Sequence, residues 1–150
     1  MKKVDESLSL FKSGNSCAQS ILMPFGKEYF KNPEDSARLA AGFEAGIAFK
    51  GEVCGAVSGA VMAIGLKYGH SNPSEELSKE QLYKLTKEYL TTFESKCGST
   101  VCNKLLNVDI STQEGIDHAI SNNLFDKVCT NAIKTSAEIL DGIFENNKEI

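Results

Sequence analysis

The residues of this chain best suited to chemistry are its five cysteines, Cys17, Cys54, Cys97, Cys102 and Cys129. No two of them form a CxxC pair, and they do not make the two closely spaced pairs of a zinc ribbon or zinc finger. Cys97 and Cys102 have the first spacing of a plant-type ferredoxin, but the cysteine that should follow two residues later is missing. Local spacing therefore gives only a weak match to a metal-binding motif.

Three of the cysteines lie at predicted helix starts. Cys17 follows a cap formed by Asn15 and Ser16, Cys54 lies at the start of a glycine-rich helix, and Cys102 lies in the first turn of a short helix. A helix N-terminus carries a partial positive charge, which can lower the pKa of a cysteine by about one unit or more and stabilise its thiolate. We therefore expect Cys54 to be the attacking thiol, because Gly55 leaves the approach to it uncrowded.

The remaining candidates have simpler interpretations. Cys129 lies on the apolar stripe of the last predicted helix, where a cysteine packs as a small hydrophobic side chain, and Cys97 lies at the end of a polar helix as a bystander. His70 and His118 are both expected to be solvated. The sequence has no Ser/His/Asp arrangement, HExxH motif, P-loop or dinucleotide fingerprint, so hydrolase and nucleotide chemistry have no support.

Apolar residues recur at helical spacing along nearly the whole chain, and no convincing strand alternation is present. This pattern predicts an all-α, single-domain helical bundle of about six to eight helices over residues 1–150. The first predicted helix carries Val4, Leu8 and Phe11, the second follows Ser16 and kinks or ends at Pro24, and the third opens at Asn32 and Pro33. The fourth covers residues 53–68, the fifth opens at residues 71–73 and ends before Gly98, and the sixth covers residues 100–106 after a Ser99 cap. The seventh opens with a Ser111 and Glu114 capping box, and the last carries an apolar stripe from Phe125 to Ile143.

The fourth of these helices is rich in small residues and is expected to lie at the centre of the bundle. Residues 53–66 contain no charge, and Gly55, Gly59 and Ala63 fall four apart on one face, where a neighbouring helix can approach closely. A membrane span needs about 20 apolar residues, so this segment is interpreted as a buried helix of a soluble protein. Upstream, Gly42, Gly46 and Gly51 predict a tight connection in which the backbone approaches another group closely.

Charge and composition limit the kinds of partner that we expect the chain to bind. Sixteen basic and 20 acidic residues give a net charge of −4, and no basic stripe is present, so we expect no nucleic-acid partner. The first residues resemble neither a signal peptide nor a transit peptide, which makes a cytoplasmic location without membrane insertion the default expectation. Permanent structural disulfides are rare in that reducing compartment. The sequence leaves the oligomeric state open.

Cys54, Gly55, Ala56 and Gly59 form a CGAxxG motif, and three further blocks accompany it: residues 14–19, residues 98–102 with Leu105 and Leu106, and Cys129. In these four blocks the chain resembles the C_GCAxxG_C_C family, which is described as redox-active. The CGAxxG motif is matched in every fixed position, and the other blocks match those of the other three family cysteines. Glu44 and Ala45 stand where the family usually has glycine, and Cys97 has no counterpart. The resemblance implies redox chemistry that involves Cys17, Cys54, Cys102 and Cys129.

Three interpretations stay open. In the first, Cys54 attacks a disulfide or an oxidant and another of the four cysteines resolves the adduct, with no cofactor and with a redox protein or a small thiol as partner. In the second, Cys17, Cys54, Cys102 and Cys129 ligate zinc or an iron–sulfur cluster. In the third, the chain is a non-catalytic interaction module. The first two predict that these four cysteines share one pocket and that Cys97 lies outside it.

Overall fold

The computed structural model describes residues 2–147, and this part of the chain folds into eight α-helices. They are α1 (Lys2–Lys12), α2 (Cys17–Gly26), α3 (Glu34–Ala40), α4 (Gly55–Tyr68), α5 (Glu76–Cys97), α6 (Cys102–Leu106), α7 (Gln113–Ser121) and α8 (Leu124–Asn146). Short 3-10 turns cover Lys27–Tyr29 and Ala41–Phe43. Within residues 2–147 the only extended pairing is an isolated antiparallel bridge between Val53 and Val101. The all-α prediction is confirmed.

Helix α4 lies at the centre, packed against α2, α5 and α8. Gly55, Gly59 and Ala63 are all buried, as the small-residue face predicts. A Cβ at Gly59 would lie only 2.8 Å from the carbonyl oxygen of Ala18 in α2. The backbones of α2 and α4 are therefore in direct contact at this point. None of the helices in the described part of the chain combines the length and the apolar character that a membrane span requires.

A buried hydrogen-bond network joins α4, α5 and α8 beside the contact between α2 and α4. The hydroxyl groups of Tyr89 in α5 and Ser136 in α8 are 2.7 Å apart, and Ser136 Oγ donates to the carbonyl oxygen of Ala56 in α4 at 3.0 Å. Tyr89 and Ser136 are completely buried, so these bonds satisfy groups that have no access to water. The network fixes how the first turn of α4 sits against α5 and α8.

Two predicted helix starts are wrong for one shared reason. Helix α4 begins at Gly55 rather than at residue 53, and α6 begins at Cys102 rather than at residue 100. Val53 and Val101 are instead extended and pair with each other, which removes both from the helices. Ser99 does not cap α6, since its Oγ accepts from the amide of Val101.

Other local signals differ by a residue or two from the structure. Helix α7 is capped by Thr112, whose hydroxyl accepts from the amide of Gly115, and not by Ser111. Pro24 does not end α2, which continues to Gly26. The start of α2 is as predicted, because Ser16 and Gln19 form a complete capping box.

Substituting Gly59 by alanine should destabilise the protein, while the same change at Gly65 in the same helix should not. A Cβ at Gly59 meets the backbone of α2, and such overpacking costs about 1–3 kcal/mol. A Cβ at Gly65 has no atom within 4 Å, so Gly65→Ala should stabilise the helix by about 0.5–1 kcal/mol. Urea unfolding of both variants measures the two effects. If both variants shift stability in the same direction, the contact between α2 and α4 is not as described.

Candidate functional site

Four cysteines line one cavity of about 400 Å³. They are Cys17, Cys54, Cys102 and Cys129, the set that the sequence predicts to share a pocket, and Cys97 is not among the lining residues. The prediction of a shared pocket is confirmed. Most other lining side chains are apolar, including Phe11, Phe49 and Phe125. The catalytic role of the four cysteines stays a prediction at this point.

The capping box of α2 positions Cys17. The amide of Ser16 donates to Gln19 Oε1 at 2.9 Å, and the amide of Gln19 donates to Ser16 Oγ at 3.2 Å. Gln19 also donates from Nε2 to the carbonyl oxygen of Ala37 in α3, at 3.0 Å. The first residue of α2, Cys17, is thereby held at a fixed helix end.

Gly55 makes room for the sulfur of Cys17. A Cβ added at Gly55 would overlap Cys17 Sγ, and it would also lie 3.0 Å from the carbonyl oxygen of Phe43. The space beside Cys54 is therefore filled by a second thiol and is not an open approach. This corrects the sequence-based reason for the glycine: Gly55 makes room for the sulfur of Cys17 and does not leave the site uncrowded.

The isolated bridge positions Cys54 and Cys102. Each of these cysteines directly follows a residue of the bridge. The amide of Cys54 donates to the carbonyl oxygen of Thr100 at 2.8 Å, and the amide of Cys102 donates to that of Glu52 at 2.6 Å. Cys54 then caps α4, and Cys102 is the first residue of α6. One short pairing thus brings two distant parts of the chain to the same wall of the cavity.

A left-handed segment forms the next part of the wall. Five consecutive residues have positive φ, namely Ala45 (53°), Gly46 (71°), Ile47 (69°), Ala48 (48°) and Phe49 (66°). Four of them are not glycine, and each such residue costs about 1–2 kcal/mol in this conformation. Gly46 is required, since a Cβ there would lie 2.5 Å from the amide nitrogen of Glu52 and 2.8 Å from Cys102 Cβ. The tight connection predicted from the glycines is confirmed, and its backbone strain is typical of functional sites.

Backbone amides act on the pKa of two of the thiols. Those of Ala45 and Ala18 act to lower the pKa of Cys17, so the left-handed segment and α2 both contribute. Those of Ala56 and Val57 at the start of α4 act to lower the pKa of Cys54, although its Sγ accepts no capping hydrogen bond. These donors favour a negatively charged sulfur, as expected for a helix N-terminus.

Burial nevertheless dominates the pKa of every thiol in the cavity. It raises the pKa of Cys17 and Cys54 above the ordinary value, and the charges of the neighbouring cysteines raise the pKa of Cys54 further. Burial also raises the pKa of Cys102 and that of Cys129 to about 12. The prediction that helix starts lower these pKa values is wrong, because removing a thiolate from water costs more than the backbone donors return.

The other candidates lie as follows. Cys129 is half-buried in α8 and forms part of the cavity wall, so it is more than a core side chain. Cys97 is half-buried at the end of α5, outside the cavity. His118 is exposed, as predicted, whereas His70 is half-buried and its Nδ1 has no hydrogen-bond partner among the described residues.

The four cysteines do not fit a single metal ion as they are placed. Residues 2–147 contain no group of three or more His, Cys, Asp or Glu side chains close enough to hold one ion. Tetrahedral zinc requires four donors around one point, so the zinc alternative is not supported by this arrangement. A multi-iron cluster keeps its sulfurs further apart, and that alternative stays a prediction.

Two residues of the site were not recognised from the sequence. Glu44 is the only charged side chain among the described residues that line the cavity, and its charge raises the pKa of Cys17. The one sign of Glu44 in the sequence was that a carboxylate stands at a position where the family usually has glycine. Burial raises the pKa of Tyr89, and the charges of Cys54 and Cys97 raise it further. Nothing in the local sequence of α5 relates Tyr89 to Cys54.

The sequence profile of one protein family matches residues 15–143, which is most of the chain, and the family is described as "Putative redox-active protein (C_GCAxxG_C_C)". The chain therefore belongs to the C_GCAxxG_C_C family, and a redox role follows in general terms. The match includes all four cysteines of the cavity. No curated protein and no solved structure matches the chain.

Substituting Gly55 by alanine should be costly mainly because of Cys17. In the parent protein the added Cβ collides with Cys17 Sγ, and we expect a loss of about 1–3 kcal/mol in the free energy of unfolding. In a Cys17→Ala background the same change should cost less, since the closest remaining atoms are Phe43 O at 3.0 Å and Ala18 N at 3.1 Å. A double-mutant cycle by urea unfolding gives the coupling energy. Additive effects would mean that the sulfur does not occupy this space.

The stability of the reduced protein should fall as the pH rises above about 9. The ordinary thiol pKa is 9.0, whereas the folded-state pKa of Cys102 and that of Cys129 are raised to about 12. Between these values the unfolded chain loses its thiol protons and the folded chain keeps them, so folding becomes less favourable with increasing pH. Urea unfolding in a phosphine reductant measures the slope. Cys102→Ala and Cys129→Ala should each flatten it, and unchanged slopes would contradict the raised pKa values.

Proposed function

We propose that the cavity is a dithiol redox centre in which Cys54 attacks a disulfide and Cys17 resolves the adduct. The observation that carries this proposal is the position of Cys17 Sγ in the space left by the missing side chain of Gly55, the residue that follows Cys54. A disulfide requires two cysteines within a short bridging distance, and this pair comes from two helices in backbone contact. Membership of a redox-active family supports the same conclusion.

Two of the four thiols, Cys17 and Cys129, interact electrostatically with all three others. The charge of Cys17 raises the pKa of Cys54, of Cys102 and of Cys129. The charge of Cys129 raises the pKa of Cys54, and Cys129 is itself influenced by Cys102. Of the two, Cys17 is the better resolving thiol, because its sulfur lies against Gly55, the residue that directly follows Cys54.

The proposed reaction is an ordinary two-step exchange. The Cys54 thiolate attacks one sulfur of a disulfide RSSR, which forms a mixed disulfide and releases the first RS⁻. The Cys17 thiolate then attacks the Cys54 sulfur, which breaks the mixed disulfide and releases the second RS⁻. Two electrons and two protons pass from the protein to the substrate, giving a Cys17–Cys54 disulfide and two molecules of RSH. A reducing partner returns the protein to the dithiol.

The raised pKa values keep the thiols of the resting protein protonated at neutral pH. The resting protein is therefore a slow nucleophile, because the thiolate is the attacking species. Before the attack, Cys54 loses its proton to solvent water. The backbone amides of Ala56 and Val57 reduce the cost of this step, since they favour the negatively charged sulfur.

Mild oxidation of the purified reduced protein should form an intramolecular disulfide between Cys17 and Cys54. Peptide mapping identifies the pair, and elemental analysis of the same sample records any bound zinc or iron. Cys97→Ser is the matched control, since it removes a thiol outside the cavity and should leave the pair unchanged. In Cys17→Ser, Cys54 should instead accumulate as a mixed disulfide with the oxidant. In Cys54→Ser that adduct should be lost.

Two outcomes would contradict the proposal. One is a parent protein whose four cavity thiols stay reduced under conditions that oxidise Cys97. The other is a sample that carries stoichiometric iron and whose cavity thiols react only after the iron is removed, which would favour the cluster alternative.

A further inference from the structure

The charged side chains around the cavity do not favour an anionic substrate. Among the described residues that line it there is no lysine, arginine or histidine, and the one charged side chain is the carboxylate of Glu44. Lys50 lies on the same loop, but its charge acts on Asp109, which is not a lining residue. A substrate carboxylate that entered the cavity would find no positive side chain to replace its water.

Glu44 is placed where an entering substrate would meet it. The residue is exposed, while Cys17, Cys54 and Cys102 are only 7–8% exposed at the inner end of the same cavity. The field of Glu44 reaches the buried thiols, since its charge raises the pKa of Cys17. A negative substrate would therefore be repelled by Glu44 and also by the thiolate that it must approach.

The remaining lining favours uncharged aromatic or aliphatic groups. Phe49 is 38% exposed and Ile120 is 63% exposed, and both belong to the cavity wall, as does Phe125, whose ring lies edge-on to that of Phe49 at 6.5 Å. A volume of about 400 Å³ is at the small end of the range for small-molecule pockets, about 300–1,000 Å³. The opening thus accepts a compact apolar molecule more readily than a charged peptide.

We propose that the cavity selects small, neutral, apolar disulfides and discriminates against anionic ones such as glutathione disulfide, with Glu44 as the residue that sets this preference. The inference deepens the dithiol function proposed above and rests on it. The reaction is the same exchange, in which the neutral disulfide takes two electrons and two protons and leaves as two thiols. The preference acts at entry to the cavity, before the first sulfur is attacked.

The test compares an uncharged and a doubly negative aromatic disulfide, and the Glu44→Gln variant below separates the effect of charge from that of size. Dithiodipyridine is neutral and dithiobis(nitrobenzoate) is a dianion, and both release a coloured thiol that reports the rate. In the Cys97→Ser protein, every remaining cysteine lines the cavity. The ratio of the neutral rate to the anionic rate should exceed the ratio for the same protein unfolded in urea by about tenfold or more, which a single repulsion at close range can supply.

Glu44→Gln should reduce this ratio, mainly by speeding the reaction with the dianion. Glu88→Gln is the matched control, since it removes the same charge from the exposed face of α5 and should leave the ratio unchanged. Comparing ratios cancels any change in thiol pKa, because both reagents meet the same thiolate.

The outcomes separate this inference from the proposed function. A ratio equal to that of the unfolded protein, or a ratio that Glu44→Gln does not change, overturns the selectivity, even if the Cys17–Cys54 disulfide forms. A high ratio that leaves stable mixed disulfides on the cavity thiols supports the selectivity and overturns the resolving step. A high ratio with two equivalents of coloured thiol released and an internal disulfide formed supports both.

Discussion

The direct contact between the backbones of α2 and α4 is the constraint on which the site depends. Gly59 permits this contact by leaving space for the carbonyl oxygen of Ala18, and Gly55 leaves space for the sulfur of Cys17 one turn earlier. With any side chain at these two positions the helices would move apart, and the two thiols would separate. Because α4 also packs against α5 and α8, the same contact determines where Cys129 faces the cavity.

The family motif can be understood residue by residue in these terms. Cys54 is the N-cap of α4, and the backbone amides of Ala56 and Val57 act to lower the pKa of its thiol. Gly55 receives the second thiol, and the carbonyl of Ala56 accepts from Ser136 in the buried polar network. Gly59 is the point of helix contact. A motif that looks like a simple packing pattern therefore also positions two cysteines of the cavity.

Two opposing electrostatic effects act on the cavity. Burial keeps the thiols protonated, while amides from α2, from α4 and from the strained segment at Ala45 favour the thiolate. Burial is the larger effect in the resting protein. Strain of about 1–2 kcal/mol at each left-handed residue is tolerated because the segment is held by hydrogen bonds such as Glu52 N to Gly46 O, at 2.9 Å. The left-handed segment thus lowers the stability of the fold locally and places the backbone amide of Ala45 near Cys17.

The sequence by itself determined the helical class, the small-residue face of α4, the cap of α2 and, through the four matching blocks, which cysteines belong together. Each of these depends on residues close in sequence or on a pattern shared with a family. Tertiary structure alone decided the pairing of Val53 with Val101, which moved two helix starts, and the position of Glu44 in the wall of the cavity. It also reversed the expected direction of the Cys54 pKa shift. The effect of a helix dipole on a pKa acts within one turn, so it can be predicted from the local sequence. The effect of desolvation depends on every element that packs around the sulfur, so it cannot.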